Sequence, residues 1–119
     1  MELTIRQISE AFSNHNFEIT YQFISDNIKW NMVGGELIIG KENVIKSCEL
    51  SANYLKTVAT TFSKFLVIET ENHVAIDSIS EYIDPDKSIS KVASCDIYKF
   101  ESGQLIEITS YCIELGENK

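Results

Sequence analysis

Four β-rich runs fill the second half of this chain, separated by three tight turns at Glu71-Asn72-His73, Asp84-Pro85-Asp86-Lys87 and Glu101-Ser102-Gly103-Gln104. Strands joined by turns this short lie beside each other and run antiparallel. Such a sheet needs a cover for one apolar face, and the first half of the chain is built to supply it. Leu3, Ile8, Ala11 and Phe12 recur near the helical period and predict an amphipathic helix over residues 2–14. Asn14-His15-Asn16 interrupts it. Phe17, Tyr21 and Ile24 then repeat at i, i+4 and i+7, predicting a short second helix that ends near Ser25-Asp26-Asn27.

From Ile28 the period drops to two. Ile28, Trp30 and Met32 alternate with Lys29, Asn31 and Val33 in a strand that stops at Gly34-Gly35. Glu36-Leu37-Ile38-Ile39 is a brief extended segment ended by Gly40. A third helix is predicted over residues 41–55, with Val44, Ile45, Cys48, Ala52 and Leu55 on one face. The last residues, Gly116-Glu117-Asn118-Lys119, read as a frayed end. The expectation is one α+β domain spanning residues 1–119, with three N-terminal helices packed on a curved, mixed but mostly antiparallel sheet. A sheet curled around helices encloses a cone, and its open end is a natural ligand cavity.

Charge narrows the function. Acidic residues outnumber basic ones 18 to 10, for a formal charge of −8. Nucleic acid and anionic lipid are repelled by such a surface. The only arginine is Arg6, which argues against a phosphate or nucleotide site. The start, Met1-Glu2-Leu3-Thr4-Ile5-Arg6, lacks the apolar core of a signal peptide, and no apolar run reaches membrane-spanning length. The three cysteines, Cys48, Cys95 and Cys112, are odd in number and have no C-x-x-C pair. They read as small apolar residues in a reduced cytoplasm, although a reactive thiol stays open as an alternative. His15 and His73 lack metal-ligand spacing and read as exposed or capping residues. No metal or cofactor is expected.

Asp96 stands out. It lies inside Lys91-Val92-Ala93-Ser94-Cys95-Asp96-Ile97-Tyr98-Lys99-Phe100, otherwise a well-formed, largely buried strand. Carboxylates are rarely buried without a partner, and an ionised one in apolar surroundings is costly. The residue is either half of a structural ion pair or a polar group displayed in a cavity. Asp77 and Glu81 share a strand face, where Lys64 and Lys91 offer cross-strand pairing.

Several stretches, taken in order, resemble the nuclear transport factor 2-like superfamily and its SnoaL-like branch. They are Ile24-Ser25-Asp26-Asn27-Ile28-Lys29-Trp30, Gly34-Gly35, Gly40-Lys41-Glu42-Asn43-Val44, and Asp96-Ile97-Tyr98-Lys99-Phe100 with the Gly103 turn. The resemblance implies a cone-shaped pocket and a homodimer formed through the outer sheet face. It does not fix a reaction, because the fold hosts isomerases, cyclases, epoxide hydrolases, dehydratases and plain binders. Ketosteroid isomerase has this shape and uses a carboxylate base, a tyrosine and a protonated aspartic acid. Asp96 matches that acid. The base would fall at Met32, or at Asn31 if the alignment slips by one, and neither takes a proton. The tyrosine's place matches Ile8. That mechanism does not carry over.

The resemblance turns Ser94, Asp96 and Tyr98 into the cone and Ala93, Cys95 and Ile97 outward. In the final strand it places Ile108, Ser110 and Cys112 inside, with Tyr111 and Ile113 outside. Phe12, Trp30 and Met32 add apolar wall. The expected ligand is a small apolar metabolite. Any catalysis would be cofactor-free proton transfer by Asp96 (isomerisation, cyclisation or dehydration), assisted by Tyr98 or Ser110. Two alternatives stand beside this. Asp96 is merely satisfied by Ser94, Ser110, Tyr98 or a backbone donor; or the interior is filled by Trp30, Phe12 and Tyr21 and the domain serves interaction. An open volume above roughly 300 Å³ with Asp96 exposed to it favours ligand binding, and a side-chain-filled interior favours the interaction module.

Overall fold

The structure is a computed structural model that describes residues 2–115. The frayed end expected at residues 116–119 lies outside the described residues. Helix α1 spans Ile5–Ser13, followed by a 3-10 helix at Glu18–Phe23, strands β1 (Ile24–Met32) and β2 (Leu37–Ile39), and helix α2 (Lys41–Leu55). Four strands complete the chain: β3 (Ala59–Glu69), β4 (His73–Ile83), β5 (Ile89–Glu101) and β6 (Gln104–Leu115). All six pair in one sheet of order β2-β1-β6-β5-β4-β3. Every pairing is antiparallel except β1 with β6, which makes the sheet mixed.

Local chemistry sets the elements. Helix α1 opens on a reciprocal capping box, in which the Gln7 N–H donates to Thr4 Oγ1 at 3.1 Å and the Thr4 N–H donates to Gln7 Oε1 at 2.9 Å. The helix therefore starts three residues later than its apolar period suggests. It ends at Asn14, and the Asn16 N–H donates back to the Ala11 carbonyl at 2.8 Å. His15 takes the left-handed conformation there, with φ at 69°. A helix end of this kind usually carries glycine, and a histidine in its place has its ring direction fixed by the turn. Gly40 begins α2 with φ at 95° and ψ at 144°, a combination open to glycine and strained for other residues.

Two expectations shift. The second helix is a 3-10 helix, and Ser25-Asp26-Asn27 belong to β1 rather than to its end. A break in the β1–β6 register between Ile24 and Lys29 leaves Asp26 at the surface, although strict alternation would turn it inward. The sheet bends again at irregularities between Phe62 and Lys64 and between Lys99 and Phe100. It thereby curls around α1, which packs on β3, β4 and β5, while α2 covers β1 and β2. The narrow end is filled by Ile8, Ile24, Ile28, Val74, Ile76 and Leu105, among other fully or nearly fully buried side chains. No described helix is long and apolar enough to cross a membrane.

Candidate functional site

The wide end of the cone is open and holds a cavity of about 690 Å³. Its floor is the junction of α1 with the middle of β5 and β6. Phe12 and Ser13 come from the last turn of α1, Trp30 and Met32 from β1, Ser94 and Asp96 from β5, and Ser110 and Cys112 from β6. Strand pairing sets Asp96 opposite Ser110 and Ser94 opposite Cys112, so the polar groups of the two strands form one patch. Phe12 forms the apolar floor, edge-on to Trp30 at 5.2 Å and to Phe17 at 5.1 Å between ring centroids.

Hydroxyl groups surround the Asp96 carboxyl. Ser13 Oγ donates to Asp96 Oδ2 at 3.1 Å and lies 2.6 Å from the Tyr98 hydroxyl. A serine hydroxyl has one proton, so with that proton on Asp96 it is Tyr98 that donates to Ser13. On the other side Trp30 Nε1 donates to Ser110 Oγ at 3.0 Å, and strand pairing sets Ser110 directly opposite Asp96. One hydroxyl chain thus ends on the acid, and a second stands beside it. Burial pushes the Asp96 carboxyl above the usual carboxylate range, opposed by the neighbouring hydroxyls of Ser110, Ser13 and Tyr98. Burial also holds the Tyr98 phenol well above its ordinary value, reinforced by the neighbouring Asp96.

Of the residues singled out in the sequence, Phe12, Trp30, Met32, Ser94, Asp96, Ser110 and Cys112 share the wall of this cavity. Tyr98 and Ile108 do not. Both face the concave side but are fully buried in the packed part of the cone, where α1 closes over β5 and β6. Tyr98 reaches the cavity only through Ser13 and Asp96. The acidic residues Asp77 and Glu81 form cross-strand ion pairs, with Lys64 Nζ 2.7 Å from Asp77 Oδ2 and Lys91 Nζ 3.8 Å from Glu81 Oε2. Among the described residues, no ion pair reaches Asp96. Cys48 is buried, its thiol pushed up to about 12 by burial and by Glu49, which removes it as a nucleophile.

Sequence reasoning missed Ser13 and His15. His15 is half-buried rather than exposed, lies 5.9 Å from the rings of Phe17 and Phe62 and 6.2 Å from Tyr82 between centroids, and lines the cavity. Burial lowers its pKa, favouring the neutral imidazole. Tyr54 from α2 and Tyr82 from β4 complete the rim. Among the described residues, no group of three His, Cys, Asp or Glu side chains is placed to hold a metal ion.

An NTF2-like protein of unknown function from Cytophaga hutchinsonii is 35% identical to this chain, over 89% of this chain and 93% of that one, with a TM-score of 0.79. The chain belongs to the NTF2-like family. More distant structures share the NTF2-like fold alone. A candidate SnoaL-like polyketide cyclase from Shewanella denitrificans is 13% identical at a TM-score of 0.69, over 89% of this chain and 85% of its own. An LEH-like epoxide hydrolase from M. tuberculosis is 15% identical at 0.68, over 91% and 81%. No family model and no curated protein matches the chain.

Proposed function

We propose that this NTF2-like domain binds a small, mostly apolar molecule at the wide end of its cone, in the manner of a SnoaL-like protein, with Asp96 as the polar anchor. One observation carries the reading: a carboxyl group at the boundary between packed core and open cavity, served only by hydroxyl donors. The volume of about 690 Å³ supports it over an interior plugged by side chains. Tyr21, one of the supposed plugs, turns away to donate to Glu49 at 2.9 Å. The test is a thermal-shift and native mass spectrometry screen against a metabolite collection, repeated on Ser94→Trp. Indole in the cavity wall should abolish every genuine hit without unfolding the domain. An empty screen, or hits that survive Ser94→Trp, would sink the proposal.

A catalytic role is the second reading, favoured by His15 lining the same wall. Proton transfer across a reacting carbon needs a donor and an acceptor, and Asp96 with a neutral His15 supplies both. Isomerisation, cyclisation and dehydration need nothing further. Ser110 would tune Asp96 directly and Tyr98 through Ser13. In this reading Asp96→Asn abolishes turnover of any screened substrate while retaining its binding; undiminished turnover rules it out.

The outer sheet face is the proposed homodimer contact. Leu66, Ile68, Tyr111 and Ile113 are exposed there, with the ion pairs Lys64–Asp77 and Lys91–Glu81 on the same face. An exposed apolar patch of this kind suits a second copy of itself in a two-fold contact. Ile113→Asp should shift the species seen by light scattering from dimer to monomer; a wild-type monomer would remove the proposal.

A further inference from the structure

The inference here rests on the cavity being a small-molecule site and concerns the charge of that molecule. Among the described residues, no lysine or arginine lines the cavity, and Asp96 is its only carboxylate. Lys56 borders a separate hollow that shares His15, in company with Glu18 and Glu49. Asp96 therefore has no counter-charge from the protein, and its known partners are all neutral hydroxyls. A carboxylate offers about four acceptor positions. Ser13 takes one of them on Oδ2, and Asp96 lines the open cavity with acceptor capacity to spare.

The rest of the wall is unusually rich in rings. Phe12, Phe17, Trp30, Tyr54 and Tyr82 all border the space. Aromatic faces carry negative potential and hold organic cations, more strongly where water is excluded. His15 does not oppose this, because burial favours its uncharged form. The chain's formal charge of −8 adds a long-range pull on cations. A carboxylic acid or phosphate ester would meet Asp96 with no compensating group.

We propose that the cavity takes an organic cation: a molecule with an apolar body and a protonated or quaternary amine, the charge placed beside Asp96 and the body against Phe12, Trp30 and Tyr82. The arrangement also assigns a purpose to the hydroxyls around the acid. Ser13 holds Oδ2, and through it the rotamer of the carboxyl, so that the remaining acceptor positions face the incoming charge, at the cost of only hydroxyl ordering. Binding then depends on pH. Asp96 is faced by Ser13 from α1, by Ser94 and Tyr98 of its own strand, by Ser110 and Cys112 from β6 and by Trp30 from β1. His15, Tyr54 and Tyr82 are the other titratable groups of the wall. Acid weakens the cation twice, by protonating Asp96 and by charging His15.

The test compares three probes of one shape, phenylbutylammonium, phenylbutanol and phenylbutyrate, by calorimetry near neutral pH at physiological salt. The cation should bind about tenfold or more tightly than the alcohol, with the acid weakest. In Asp96→Asn the preference for the cation over the alcohol should vanish. If Asp96→Asn does not fold, wild-type protein serves instead, and the preference should collapse on acidification. Equal or better binding of the alcohol overturns the inference and leaves small-molecule binding intact. A preference that survives Asp96→Asn traces to overall charge and overturns it as well. If no probe binds, the inference falls; small-molecule binding falls with it only if the metabolite screen is also empty.

Discussion

The same two strands build both ends of the cone, yet β5 and β6 behave differently along their length. At the narrow end Tyr98, Phe100, Leu105 and Ile108 are buried against α1 and the far strands. At the wide end Val92, Ser94 and Cys112 keep part of their surface in the open. Alternation is the same throughout, so the difference does not come from strand pattern. It comes from α1, which is only nine residues long and closes over one end. Ser13, its last residue, marks the border, and Asp96 sits on that border. One half of the molecule holds the fold, and the other half is free to vary with a ligand.

Truncation should separate the halves most sharply. Ile76→Ala, in the narrow end, removes a fully buried side chain and leaves a hole that the packed cone cannot collapse around. A loss of about 2–5 kcal/mol is expected in urea unfolding. Val92→Ala, in the cavity wall, opens no new enclosed void and should lose less than about 1 kcal/mol. Equal losses would mean that the wide end is packed like core, and the division would fail.

How much of this division was legible in the sequence depends on distance along the chain. The three hairpins, the two faces of β5 and the span of α2 follow from turn residues and local period, and all stand as read. The Asp96–Ser110 neighbourhood follows from pairing consecutive strands around Gly103. Features set by distant partners were not legible. Ser25-Asp26-Asn27 resemble a helix end, and only pairing with β6, some eighty residues later, makes them a bulged strand. Ser13 looks like an ordinary helix-end serine until α1 is tilted onto β5. His15 was hidden by its backbone: a left-handed histidine points where a helical or extended one would not. The Asn14-His15-Asn16 stop was the available clue, since the residue just past a helix end often turns left-handed.

Asp96→Asn should produce a smaller effect of opposite sign. Burial raises the folded-state pKa above the unfolded value of about 3.8, so the fold favours the protonated acid. Stability from this group is fully present below the unfolded pKa and is lost as pH rises through the folded one. Asparagine keeps the shape without the ionisation. Its melting temperature should match wild type in acid and exceed it near neutral pH by up to about 4 °C. A large drop near neutral pH would show that ionised Asp96 is a structural centre of the narrow end rather than the border of the wide one.

His15 gives the mirror image and the smallest change. Its pKa is lowered by burial from 6.5, so the fold favours the neutral ring. For a base shifted this way, stability is whole above the unfolded pKa and drains as pH falls from there toward the folded value. The groups around the ring sharpen the expectation. Phe17, Phe62 and Tyr82 surround it with rings, and Glu18, Glu49 and Lys56 lie in the adjoining hollow. His15→Asn keeps a residue that tolerates the left-handed turn and removes the titration. Between pH 7 and pH 5 the variant should gain on wild type by less than about 1 kcal/mol, read from paired denaturation curves. A flat difference would place the imidazole in solvent contact, fully part of the wide end. A loss at every pH would instead assign the ring to packing and extend the narrow, rigid half of the cone to its rim.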